Sequence, residues 1–368
     1  MKPIDAPTPP ETVTTESLTE YAIELGIDAV GVAAAVPYER AEAAIKERLA
    51  RGLFADLKFT MTRTDVSCHP ERAVEGAVSV VSFALSYWQP EIDPPVPHGA
   101  DPDGPVPARG RIGRYTRTDA YDALRQRLLR IVAWLEEHGH AARSMVDSNE
   151  HVDREAAIRS GVGFSGKNTL VITRRHGSWV VLGTIITSAP LAATEPMRPG
   201  CGSCTLCIDA CPTDAIIDGG LTLDTTRCIS YWAQSKHAVP LDVREAMGDL
   251  VYGCDICQDA CPWNRATERR RSDTEEPAPW GVNLVDWLEA PEATLNEEFE
   301  RFFVPRREMR WLRRNALIAL GNTGSEQDAA LAAPFLTDDD AMLREHAAWA
   351  LRRIGGPIAA AALRGAGA

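Results

Sequence analysis

The chain has 368 residues, with 39 lysines and arginines against 52 aspartates and glutamates, a formal net charge of −13. At about 150 residues per domain the length holds two to three domains, and no apolar run reaches the ~18 residues that a membrane helix needs, so a soluble protein with no membrane partner is expected. The acidic balance argues against non-specific nucleic-acid binding, although overall charge does not decide the partner. The arginines are bunched, however: Arg301, Arg306, Arg307, Arg310, Arg313 and Arg314 in one stretch, Arg265, Arg269, Arg270 and Arg271 in another. A basic binding face and a plain solvated helix surface both fit that pattern.

Residues 1–16 are rich in proline and threonine and read as a disordered leader with no apolar core or cleavage site, which places the chain in the cytoplasm with reduced thiols. Ser17 and Glu20 have capping-box spacing for a helix that Gly26 stops. A strand at 27–33, a helix over 38–52 and a buried strand at 77–87 (AVSVVSFALSY) follow. Residues 89–110 carry seven prolines and exclude a regular element. The fold resumes with an amphipathic helix over 118–138, a strand ending at Asp147, a helix over 151–160 closed by Gly161, and strands at 169–173 and 179–187. The turn 174–178 is expected to join the last two as a hairpin. This α/β domain spans 17–190, with 89–110 as an insert.

Eight of the nine cysteines lie between residues 201 and 261. Cys201, Cys204, Cys207 and Cys211-Pro212 are spaced like a ferredoxin loop. Three thiolates wrap one face of a cubane, and the fourth, before the proline, reaches a second cluster. Cys254, Cys257 and Cys261-Pro262 repeat the pattern, and Cys228 replaces the first cysteine of a shortened second motif. The spacing assigns Cys201, Cys204, Cys207 and Cys261 to one 4Fe-4S cluster and Cys211, Cys228, Cys254 and Cys257 to the other. Zinc is the competing reading, but four cysteines in eleven residues before a proline is not zinc-ribbon spacing. Cys68 has no cluster partner and reads as a free thiol. The cluster domain spans 191–275.

Beyond it, LRRNALIALGNTG at 312–324 recurs as LREHAAWALRRIG at 343–355. Such a period reads as stacked helix pairs of HEAT type over 276–368, serving as a binding surface or a brace.

The stretch VDSNEHVDREAAIRSGVGFSGKNTLVIT at 146–173, with YGCDICQDACPWN at 252–264 and the repeats, resembles the epoxyqueuosine reductase family over about residues 20–368. The resemblance implies an α+β multidomain fold: a nitroreductase-like α/β cobalamin-binding domain, a two-cluster ferredoxin-like domain and HEAT-like helical repeats. It implies an oxidoreductase that reduces epoxyqueuosine to queuosine in the tRNA anticodon. It also implies cobalamin as cofactor, a flavodoxin or ferredoxin as electron donor, and a monomer. Asp147 matches the family's proton donor and would need burial or a neighbouring negative charge to hold a proton near neutral pH. As a residue ahead of a helix it also has the character of an N-cap. Arg154 matches the arginine of the family's acid–arginine pair, a contact for substrate or oxyanion; a surface ion pair with Glu150 or Asp153 is its ordinary alternative. The turn holding Gly161, Gly163, Gly166, Lys167 and Asn168 beds the corrin in the family, which makes Asn168, Val171, Leu182 and Asp255 cobalamin contacts, with Gln258 near the clusters. No Asp-x-His-x-x-Gly motif occurs, so the cofactor is expected base-off.

The chain departs from the family at 116–122, where Thr-Arg-Thr-Asp-Ala-Tyr-Asp keeps only Tyr121 of the family's substrate-facing run. A related corrinoid iron–sulfur reductase with another substrate, and a non-catalytic electron-transfer protein, stand beside the main reading.

Overall fold

The computed structural model describes residues 7–94, 107–271 and 276–367. The first domain is built on α1 (Thr15–Glu24), β1 (Ala29–Ala34), α2 (Glu39–Ala50), β2 (Ser79–Ser86), α3 (Ala120–Glu137), β3 (Ala142–Val146), α4 (Asp153–Arg159) and β4 (Val180–Thr187). The strands form one antiparallel sheet in the order β1-β2-β4-β3. Alternation along the strands sends Val81, Phe83, Leu85, Val181 and Ile185 to one face, where they pack on α1 and α3. Val80 and Ile186 point to the other face, against Ile45 of α2 and Ala156 of α4. The sheet is thus covered on both sides, and α4 lies so close to β1 that a Cβ at Gly31 would sit 2.0 Å from the Ser160 carbonyl oxygen.

Several sequence expectations change. The capping box of α1 is Thr14 with Ser17, three residues before the expected pair. Within the expected leader, the carbonyls of Pro10 and Glu11 accept hydrogen bonds from Trp134 and His138, so this part is packed; residues 1–6 lie outside the described residues. The 174–178 turn closes only the Thr173–Gly177 bridge, because Val171–Ile172 pairs with Phe164–Ser165 while β4 enters the central sheet. Within 89–110, where a regular element was excluded, Glu91–Ile92 pairs with Ala278–Pro279, and the strand Arg109–Ile112 begins; 95–106 lie outside the described residues.

Arg109–Ile112 is the centre of a second sheet, between Leu250–Tyr252 and Gly281–Asn283. One short strand from each of the three expected domains therefore shares a single ladder, and Ile112, Val251 and Tyr252 join the same apolar core as the repeats. Helices α5 (Pro262–Arg271), α6 (Arg310–Thr323) and α7 (Ala341–Ile354) complete the frame. The two repeat units, α6 and α7, approach closely at Gly321, where a Cβ would sit 2.6 Å from the Trp349 ring.

The arginine run at 301–314 is largely turned inward. Arg314 is fully buried and donates to the carbonyls of Trp232, Ser235 and His237. Arg307 clasps the carbonyls of Asn296, Phe299, Glu300 and Phe302, and Arg313 that of Ala290. Arg310 pairs with Asp340 and Arg301 bonds the Thr116 carbonyl. Arg314 and Arg301 tie the repeat region to the cluster and catalytic domains, while Arg307, Arg310 and Arg313 satisfy carbonyls and a carboxylate within it.

Candidate active site

The eight cluster cysteines fall into two groups of four. Burial pushes the Cys207 and Cys261 thiols up, and the charges of Cys201 and Cys204 push both further. Burial likewise raises Cys254, which senses Cys228 and Cys211, and Cys257, which senses Cys254 and Cys228. Cys257 also senses Cys207, so the groups are neighbours. Among the described residues no three His, Cys, Asp or Glu side chains converge as ligands to a single ion would. Two one-turn helices, Leu206–Asp209 and Ile256–Asp259, present the thiols, and backbone N–H groups point at sulfur: Lys167 to Cys201 at 3.4 Å and Ala215 to Cys211 at 3.3 Å. Such donors stabilise charge on a cluster's sulfurs.

Lys167 also bonds the carbonyls of Gly202 and Cys204 through Nζ. The Gly-Lys-Asn turn therefore holds the first cysteine loop against the sheet. Next to it, Asn168 is buried; its Oδ1 accepts from the Leu170 amide, while its Nδ2 has no partner among the described residues. A buried amide donor without an acceptor is costly in isolation and marks a place where a polar group can dock. Val171 is buried with Ala84, Ala157 and Val162, and Leu182 lies at the edge of that cluster.

Asp147 follows the last residue of β3 with φ +52°, a left-handed conformation that an aspartate adopts more easily than most residues. It caps nothing: α4 begins at Asp153, and its N-cap, Val152, makes no side-chain bond. Its side chain is exposed. Its neighbour Asp153 has a carboxyl raised chiefly by desolvation and further by Asp147, against Arg154. The Tyr121 hydroxyl is raised by burial and senses Asp147, Asp153 and Arg154, which brings these four side chains to one place. Arg154 Nη1 donates to the Thr169 carbonyl at 3.0 Å, tying the start of α4 to the Asn168 turn; it pairs with neither Glu150 nor Asp153 through its guanidinium.

Asp255, inside the second cysteine loop, is buried, accepts the Arg114 amide at 2.7 Å and the Gln258 side chain at 2.7 Å, and is raised chiefly by desolvation. Gln258 Oε1 receives Ser178 Oγ at 2.8 Å and the Tyr87 hydroxyl at 3.3 Å. Asn264 completes the network by accepting the Ser178 amide at 2.7 Å and donating to the Gln258 carbonyl. Half-buried Tyr115 senses Tyr252, Tyr121 and Asp255. Tyr115, Tyr121 and Asp153 were not among the sequence-derived site residues. The match of Tyr121 in an otherwise divergent run was the signal for it, and Asp153 stood in the acid–arginine pair beside Arg154.

Three family models match in chain order: "Epoxyqueuosine reductase QueG, DUF1730" over residues 68–148, "4Fe-4S double cluster binding domain" over 200–264 and "HEAT repeats" over 306–367. An epoxyqueuosine reductase of Bacillus anthracis is 34% identical over 351 residues, covering 93% of this chain and 89% of the relative. The chain belongs to the epoxyqueuosine reductase family. A family member from Vibrio cholerae is 31% identical across 91% of this chain and 90% of its own length. The fold matches a crystal structure of an epoxyqueuosine reductase with an epoxyqueuosine-modified tRNA-Tyr stem loop at a TM-score of 0.85, with 31% identity over 95% of this chain and 92% of that one. It also matches, at a TM-score of 0.83 and 29% identity over 95% and 93% of the two chains, the Bacillus subtilis enzyme with its catalytic aspartate loop swung out of the active site. The α+β architecture with double-cluster and HEAT-like parts is that of the family, and the chain is an oxidoreductase carrying two 4Fe-4S clusters. Among the described residues no helix is long and apolar enough to cross a membrane.

Proposed function

We propose that this chain reduces epoxyqueuosine to queuosine in the anticodon of tRNA, in the cytoplasm, with cobalamin that the Asn168 turn and the Asp255 loop would hold. The observation that carries the reading is the convergence of exposed Asp147 and Arg154 with Asp153 and Tyr121 beside a buried, unpartnered amide of Asn168, in the turn that holds the first cysteine loop. Bound there, cobalamin supplies a strongly nucleophilic cobalt that accepts single electrons.

Removal of an epoxide oxygen as water consumes two electrons and two protons. Cys201, Cys204, Cys207 and Cys261 would hold one cluster and Cys211, Cys228, Cys254 and Cys257 the other, with electrons arriving from a flavodoxin or ferredoxin. Asp147 delivers a proton to the oxygen as the ring opens, which avoids expelling a bare alkoxide. Asp153, whose own carboxyl is raised chiefly by desolvation, stands beside it. Arg154 orients the loop through Thr169 and faces the developing oxyanion. Asn168 Nδ2 would donate to a polar edge of the cofactor and Leu182 would offer apolar contact; Asp255, anchored by Arg114 and Gln258, would hold it on the cluster side.

A reductase for another substrate draws on one observation: the divergent 116–122 run, including Tyr121, stands beside Asp147. The test is turnover of epoxyqueuosine-bearing tRNA by reconstituted Asp147→Asn with cobalamin and a chemical reductant. The expected outcome is intact cofactor uptake with turnover down by at least about a hundredfold, within the usual worth of a positioned general acid. Full turnover by the variant removes the acid role, and cofactor uptake without any turnover by the unaltered protein favours the other substrate.

A further inference from the structure

In a chain of net charge −13, one exposed surface is distinctly cationic. The turn after Thr173 carries Arg174, Arg175 and His176, and α5 carries Arg265, Arg269 and Arg270. The two are clamped together, with Thr267 Oγ1 donating to the Arg175 carbonyl at 3.0 Å and the Arg270 guanidinium donating to the same oxygen. The five arginines are exposed, and none pairs with a carboxylate among the described residues. Among the described residues, nearby acids include Glu268 on the same helix and Asp28, which faces His176 at 3.6 Å. At the centre lies a cleft of about 460 Å³ whose lining includes Ile23, Ile27, Arg175 and Arg270. Ile23 is 57% exposed. An apolar centre ringed by arginine is the composition of a protein-binding patch, where arginine is enriched and a charged rim sets orientation.

Its position gives it a purpose. Helix α5 starts directly after Cys261, and the Arg265 amide bonds the Cys261 carbonyl at 3.3 Å. Trp263 packs with Phe164, Cys201 and Cys261, so the patch adjoins the first cysteine group. The substrate side is elsewhere. The cleft borders the residues that lead into β1, while Asp147 follows β3, and these are the two edges of the four-stranded sheet. Three inter-strand steps of about 4.8 Å put roughly 14 Å of sheet between them.

We infer that this arginine patch is the docking face for a small acidic one-electron carrier protein that reduces the first cluster. The inference rests on the proposed reductase function, which requires an electron source, and adds where the source binds. An acidic carrier is repelled by the net negative charge of the chain and attracted to this cationic face, with the encounter oriented toward Cys201 and Cys261.

The test is anaerobic stopped-flow bleaching of the reconstituted clusters by reduced flavodoxin, compared between the unaltered protein and Arg265→Glu/Arg269→Glu. The expected result is a second-order rate on the order of tenfold lower or more at low ionic strength, with the steep salt dependence of the unaltered protein flattened. Reduction by dithionite should be unchanged, and Arg265→Lys/Arg269→Lys should keep most of the flavodoxin rate. Equal flavodoxin rates in the charge-reversed and unaltered proteins overturn the inference. So does a rise in KM for substrate tRNA when dithionite supplies the electrons, because that assigns the face to RNA. The bleaching is read with no RNA present, so its result is independent of the epoxide chemistry.

Discussion

Asn264 joins the cluster loops to the catalytic sheet, and its replacement by leucine has a cost that can be worked from neutral groups alone. The side chain is fully buried; Oδ1 accepts the Ser178 amide at 2.7 Å, and Nδ2 donates to Ser178 Oγ at 2.9 Å and to the Gln258 carbonyl at 2.8 Å. In Asn264→Leu the Gln258 carbonyl keeps the Cys261 amide and Ser178 Oγ keeps Gln258 Oε1. The Ser178 amide is left buried with no acceptor. One orphaned donor at about 1–3 kcal/mol plus two lost bonds at about 1 kcal/mol each gives a destabilisation of about 3–5 kcal/mol. The assay is urea unfolding of the apoprotein, with iron content after reconstitution as the functional readout. A cycle with Ser178→Ala should show coupling of about 1 kcal/mol, since the two side chains share the network. A loss below about 1 kcal/mol, or strict additivity with Ser178→Ala, refutes the assignment of Asn264 as the tie between the two parts.

If the cysteines interlock, Cys261→Ser should abolish the same cluster spectroscopically as Cys201→Ser, while Cys211→Ser and Cys254→Ser share loss of the other; loss that follows the order of the sequence motifs contradicts the assignment. Burial lowers the His151 pKa from 6.5 to about 4. The unfolded chain therefore binds a proton in that window that the folded chain does not, so the associated stability is present above about pH 6.5 and is lost as pH falls toward 4. About 2 kcal/mol should disappear between pH 7 and pH 5 by that relation, and His151→Gln should weaken the acid sensitivity of the urea midpoint; an unchanged pH slope argues against a buried neutral imidazole. In Gly31→Ala the added methyl meets the Ser160 carbonyl oxygen at 2.0 Å, so α4 must shift and turnover should fall together with stability; full activity would mean that α4 does not need this close approach.

The cluster spacing, the strand and helix alternation of the first domain and the repeat were legible because each is written as a local period. Pairing was not. The residues at 169–173 alternate as a strand should, but alternation does not name a partner, and Phe164–Ser165 was nearer than Val180–Thr187. The helix start slipped by three residues because Thr14-x-x-Ser17 and Ser17-x-x-Glu20 both offer cap and return donor or acceptor. The arginines at 301–314 misled for a different reason. Composition reports how many guanidinia there are and not where they point, and the carbonyls that turn Arg314 and Arg307 inward come from segments as distant as residue 232. At the site, Asp147 and Asn168 were named through resemblance. The Asp153–Tyr121 side was visible only once the fold brought residues 121 and 153 together.

The most direct measurement is nucleoside analysis of epoxyqueuosine-bearing tRNA after anaerobic incubation with protein carrying about eight irons per chain, cobalamin and a reductant. Conversion to queuosine, one oxygen lighter and dependent on both cofactors, is the expected result. Unchanged epoxyqueuosine from fully loaded protein contradicts the proposed reaction.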